Sequence, residues 1–67
     1  MLVVMNTNAT EQDIQRVILF VEDRGFEARL CRGETKSVVA AVGSKEIDKR
    51  DIELLAGVHE VIKLTTS

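Results

Sequence analysis

A chain of 67 residues holds one domain at most, near the lower size at which a fold closes without disulfides or metals. An apolar fraction of 45% argues against disorder, and a net charge of −2 gives no long-range pull toward nucleic acid or an anionic membrane. Phe20 and Phe26 are the only aromatic residues, so the core has to be built from Val, Ile, Leu, Ala and Met.

The first strand is expected over Leu2 to Met5, followed by the polar loop Asn6-Thr7-Asn8. Thr10 reads as an N-cap, with Asp13 three residues on and Glu11 in the first turn, a capping-box arrangement that sets acids at the positive helix end. Ile14, Val17, Ile18 and Val21 then fall on one helical stripe, widened by Leu19 and Phe20, until Arg24-Gly25 closes the helix. From Phe26 to Arg32 the chain alternates. Phe26, Ala28 and Leu30 point one way, and Glu27, Arg29 and Cys31 the other, as on a strand buried on one side. Gly33-Glu34 makes a hairpin turn, Thr35 to Val42 returns as a third strand, and Gly43-Ser44 breaks it. A second helix is expected from Lys45 or Glu46 to Leu55, with apolar Ile47, Ile52, Leu54 and Leu55 and the wet-side pairs Glu46–Arg50 and Lys49–Glu53. Ala56-Gly57 stops it, Val58 to Leu64 forms the last strand, and Thr65-Thr66-Ser67 reads as a loose end or the start of a linker.

The order β-α-β-β-α-β is that of an α+β, ferredoxin-like sandwich: a four-stranded antiparallel sheet with two helices on one face. Such a sheet should alternate apolar and polar residues along each strand. Strands one (Leu2-Val3-Val4-Met5) and three (Val38-Val39-Ala40-Ala41-Val42) are instead apolar throughout, and in this topology they are the central neighbours. The surplus predicts an apolar patch on the bare face, covered by a second copy or another domain. Val3, Val39 and Ala41 are the candidate interface residues. Beside the patch, Arg29 and Cys31 form the candidate ligand site, because an arginine bordering small apolar side chains can anchor a carboxylate.

No catalytic constellation accompanies these features. The single histidine, His59, and the single cysteine, Cys31, sit on different strands, and no spacing suits a metal. The first loop lacks the paired cysteines of metal carriers, and the central strands lack the aromatics that stack on RNA. This domain is therefore expected to need no cofactor and no metal, and to bind neither nucleic acid nor membrane. A lone Cys31 and the lack of a basic leader favour a cytoplasmic setting.

Met1-Leu2-Val3-Val4-Met5, Ala9-Thr10-Glu11-Gln12-Asp13-Ile14, Phe26-Glu27-Ala28-Arg29, Gly33-Glu34, Val38 to Gly43 and Val58-His59-Glu60-Val61 together resemble the N-terminal ferredoxin-like domain of 3-deoxy-D-arabino-heptulosonate 7-phosphate (DAHP) synthases. The likeness covers nearly the whole chain. It implies that residues 1–67 are an ACT-like regulatory domain detached from a C-terminal TIM barrel. That barrel, with a divalent metal, condenses phosphoenolpyruvate with erythrose 4-phosphate at the start of the shikimate pathway. It also implies domains that pair with one another and bind tyrosine or phenylalanine between them for feedback inhibition. The polar positions of strand two that serve the ligand in the family, where members carry His and Ser, are held here by Arg29 and Cys31, and the stretch Lys45 to Ile52 is shorter than usual. The rival expectation is an ACT-like module of another protein, used for dimerisation or small-molecule binding. Its supports are the ending Leu55-Ala56-Gly57-Val58 and Val61; against it, the first loop lacks the glycine that commonly admits an amino acid in such domains.

Overall fold

A computed structural model describes residues 1–43 and 45–63. The predicted turn residue Ser44, the predicted strand end Leu64 and the tail Thr65-Thr66-Ser67 lie outside the described residues. The elements run β1 (Leu2–Met5), α1 (Glu11–Asp23), β2 (Glu27–Arg32), β3 (Ser37–Val42), α2 (Lys49–Glu53) and β4 (Val58–Ile62). The sheet order is β2-β3-β1-β4 with every pairing antiparallel, the ferredoxin-like arrangement expected from the element order.

Helix α1 is bounded by local chemistry at both ends. The Thr10 hydroxyl accepts from the Asp13 backbone N–H at 3.1 Å, and the Thr10 N–H donates to Asp13 Oδ2 at 3.1 Å, which satisfies two donors that the first turn would leave open. At the other end Gly25 takes φ +86°, its N–H donates to the Glu22 carbonyl, and the Phe26 N–H donates to the Val21 carbonyl. This is a Schellman closure, and it needs a residue at ease with positive φ. The chain then turns directly into β2 with Phe26 in the core.

The second helix is shorter than the sequence pattern suggests. Asp48 holds extended backbone (φ −70°, ψ 120°) and its carboxylate accepts from the Arg50 N–H at 3.0 Å, so it caps the helix rather than lying inside it. Residues 45–47 stay outside, and Ile47 is buried from this non-helical segment. Glu46 therefore precedes the cap and is off the helix on which a Glu46–Arg50 pair was expected. Lys49 and Glu53 do meet, at 4.0 Å. Leu54 forms the C-cap and is exposed, whereas Ile52 carries the helix's contact with the core.

The core lies between the sheet and the two helices. Ile14, Val17 and Val21 of α1, Ile47 and Ile52 pack with Val3, Met5, Phe26, Val39, Ala41 and Val61. Helix α1 lies over β2 and β3, and α2 lies against β4. The connection before β4 is held to the start of α1. Gly57 has φ +83°, its carbonyl accepts from the Asn6 N–H at 2.7 Å, and a Cβ placed on it would stand 2.8 Å from the Asp13 Cβ and Oδ2. The α1 cap and this turn thus share Asp13.

This contact separates two glycines of similar backbone. Gly25→Ala should cost about 1–2 kcal/mol for the left-handed conformation, since the nearest neighbour of its new methyl is the flexible Lys45 side chain. Gly57→Ala should cost roughly 1 kcal/mol more, because it also displaces the capping Asp13. Urea unfolding of the two variants measures the difference; equal costs would show that the Asp13 contact carries no stability.

Candidate functional site: the open sheet face

Strand register decides which residues the helices cover. One row of side chains runs Leu30, Val39, Val3, Val61 across the four strands, and its central pair Val39 and Val3 is completely buried. Side chains alternate along a strand, so the neighbouring rows point away from the helices. These outward rows are Cys31, Val38, Val4, Glu60 and then Arg29, Ala40, Leu2, Ile62, with Glu27 and Val42 paired beyond them. Leu2, Val4, Val38 and Ala40 are half-buried among themselves, while Val42 and Ile62 are 60% and 41% exposed.

The apolar surplus of β1 and β3 thus does reach the open face, but through other residues than expected. Val3, Val39 and Ala41, named above as interface candidates, are 0%, 0% and 2% exposed and belong to the core beneath the helices. The outward set is Leu2, Val4, Val38, Ala40, Val42 and Ile62. A continuously apolar strand does not reveal which parity faces out, because both parities look alike. The signal lay in β2, whose alternation is unambiguous, combined with the hairpin. Pairing Arg32 with Ser37 across the turn sets Leu30 opposite Val39, and hence Val39 inward.

Arg29 and Cys31 are both exposed on the outward side of β2, as its alternation predicts. Arg29 faces Ala40 across the hairpin, and Cys31 faces Val38. The Arg29 guanidinium lies 3.5 Å from a Glu27 carboxylate oxygen; both side chains stay mostly in solvent, which leaves the pair little intrinsic strength. Glu27 was not a site candidate from sequence, although it shares the face with Arg29 by simple alternation. Arg32, on the opposite side of β2, instead pairs with Glu11 of α1 at 2.7 Å.

His59 and Cys31 are far apart. Three strand spacings separate β2 from β4, about 14 Å at ~4.8 Å each, so no thiol–imidazole pair forms. His59 sits at the register shift between Val4 and Met5, with its Nδ1 3.2 Å from the Asn6 Oδ1. Among the described residues no three His, Cys, Asp or Glu side chains are placed to hold a metal ion, and no helix is long and apolar enough to cross a membrane. A cleft of about 560 Å³ bounded by Ile47, Lys49 and Lys63 lies at the α2 end of the domain, away from the open face.

An antiparallel β2-β3-β1-β4 sheet, covered by helices on one side and largely apolar on the other, defines an open-faced ferredoxin-like domain. A family model described as the DAHP synthase ferredoxin-like domain matches residues 1–66, and the chain belongs to that family. Among solved structures it is similar to the phospho-2-dehydro-3-deoxyheptonate aldolase (DAHP synthase) of Thermotoga maritima, with 23% identity and a TM-score of 0.89 over 96% of this chain. That likeness concerns the fold, and the matched chain spans only 19% of the Thermotoga protein. No curated protein sequence matches.

The two faces can be told apart by paired substitutions on one strand. Val39→Ala removes buried methyl groups and should cost about 2 kcal/mol of stability. Val42→Thr, outward, should change stability by no more than about 0.5 kcal/mol while lowering the binding of a hydrophobic dye. Denaturant unfolding with a dye titration checks both; comparable destabilisation by the two would overturn the assignment of faces.

Proposed function

We propose that this chain is the regulatory domain of a DAHP synthase, associating through its open sheet face and binding an aromatic amino acid there as a feedback signal. The observation that carries the reading is the block Leu2, Val4, Val38, Ala40, Val42 and Ile62, bordered on one side by Glu27 and Arg29 and on the other by Glu60. An apolar centre with a charged rim is the anatomy of a recognition surface rather than of a solvated sheet. On this reading the parent is a cytoplasmic enzyme whose TIM barrel performs an aldol-type condensation of phosphoenolpyruvate and erythrose 4-phosphate, and membership of the DAHP synthase ferredoxin-like family supports it. The divalent metal and all catalytic groups are assigned to that barrel.

Regulation requires that the ligand bind the paired arrangement more tightly than the separated one, since equal affinity shifts nothing. A flat face meets this condition naturally. It gives a small ligand one wall, and a second copy gives the other. The rival, a passive ACT-like dimerisation module, uses the same apolar block without a ligand.

Sedimentation at high micromolar concentration should find a dimer, and Val38→Lys should return it to monomer by placing an unpaired charge in the centre of the face. Calorimetry with tyrosine, phenylalanine and tryptophan should then detect binding that is lost in Arg29→Ala, a change expected to cost the fold less than about 0.5 kcal/mol. A persistent monomer removes the association, and silence with all three amino acids at millimolar concentration leaves the passive module.

A further inference from the structure

On its helix side the sheet ends in charge. One row beyond Leu30, Val39, Val3 and Val61, the inward positions are Ala28 paired with Ala41, then Met1, which exchanges two backbone hydrogen bonds with Ala41. Lys63 follows on β4, two residues past the buried Val61. The segment 45–47, rather than a helix, closes over this row and leaves a cavity of about 110 Å³. Part of the lining is apolar and buried: Phe26, Ala41 and Ile47. Gly43 completes that part, since a Cβ there would stand 2.9 Å from the Phe26 ring. The rest of the lining is charged, with the Met1 α-ammonium, Lys45 and Lys63 set against the one carboxylate of Glu46. Three cations less one anion leave an excess of two positive charges here, on a chain whose net charge is −2. Among the described residues no ion pair engages any of the four groups.

We infer that this cavity binds the phosphate group of a small phosphate monoester, held by the Met1 α-ammonium, Lys45 and Lys63. The charge matches, because a phosphate monoester carries about −1.5 to −2 at neutral pH and offers several acceptor oxygens to the donor-only ammonium groups. The size matches as well: the cavity has room for a group of a few heavy atoms and not for an aromatic side chain. Met1 is already in place, since its ammonium donates to the Ala41 carbonyl at 3.1 Å and keeps further hydrogens for a ligand. The apolar part of the lining keeps water from one side of the anion and so strengthens its attraction to the cations. The remainder of the ester extends into the neighbouring cleft of about 560 Å³, which shares Glu46, Ile47 and Lys63 with the cavity and adds Asp48 and Lys49 as polar partners. This site lies on the helix side of the sheet, so it stands or falls independently of the open face.

Titration of the 67-residue chain with inorganic phosphate, followed by backbone amide resonances at constant ionic strength in chloride, tests the site. Signals of Gly43, Lys45, Ile47 and Lys63 should shift together and saturate, and acetate, with one charge, should bind at least about threefold more weakly. Lys45→Gln and Lys63→Gln should each weaken phosphate about threefold, as should acetylation of the Met1 amine. Glu46→Gln removes the opposing carboxylate and should tighten phosphate by a similar factor. Lys36→Gln, in the hairpin at the far end of β3, removes an equal charge from the chain and should change nothing. Shifts that never saturate, equal affinity for acetate, or a loss in Lys36→Gln as large as in Lys63→Gln would each overturn the assignment.

Discussion

Everything outside the core depends on the inward row Leu30, Val39, Val3, Val61, the line along which four strands share one parity beneath the helices. Two short helices, thirteen and five residues long, can cover only one side of such a sheet. Once Val39 and Val3 are committed to that side, the two-residue repeat of the strands commits Val38, Val4, Ala40 and Leu2 to the other. The open face is thus a consequence of the core. A one-residue slip of β3 against β2 would exchange Val38 for Val39 while keeping an apolar residue at both places. Apolarity of β3 does not defend the register; the polar outward set of β2 does, because a slip relative to the helices would drive Arg29 and Glu27 into the core.

That asymmetry explains how far the amino-acid sequence was legible. Elements with chemical punctuation were read to within a residue or two: Thr10 and Asp13 set the start of α1, Gly25 its end, and the alternation of Phe26 to Arg32 the two sides of β2. The second helix was read too long, because Glu46, Arg50 and Ile47 suit a helix by propensity and spacing. Asp48 overrides them locally by offering its carboxylate to the Arg50 N–H. The apolar excess of the open face is legible in the composition of β1 and β3, but which residues form it is not, since these strands lack any polar marker of parity. Only the pairing across the Gly33-Glu34 hairpin transfers the parity of β2 to them. Arg29 and Cys31 were placed well for the same reason that Val3, Val39 and Ala41 were not: their strand alternates.

The charged border of the face follows from its position in the sheet. β2 and β4 are the outer strands, and there the outward residues are Glu27, Arg29, Cys31 and Glu60, with Ile62 the single apolar exception. Polar residues at an edge discourage unregistered strand addition, while the apolar middle favours contact face to face. In the proposed assembly the two tendencies together direct association through the face of the sheet and away from its rim. Glu27 and Arg29 stand at the line where these regions meet. Their mutual attraction is weak in solvent, which is the condition for exchanging it readily for other partners. A buried pair of the same geometry would resist such exchange, because separating its charges would first have to overcome an interaction strengthened by the low-dielectric interior. Exposure of this pair therefore leaves it little share in stabilising the fold.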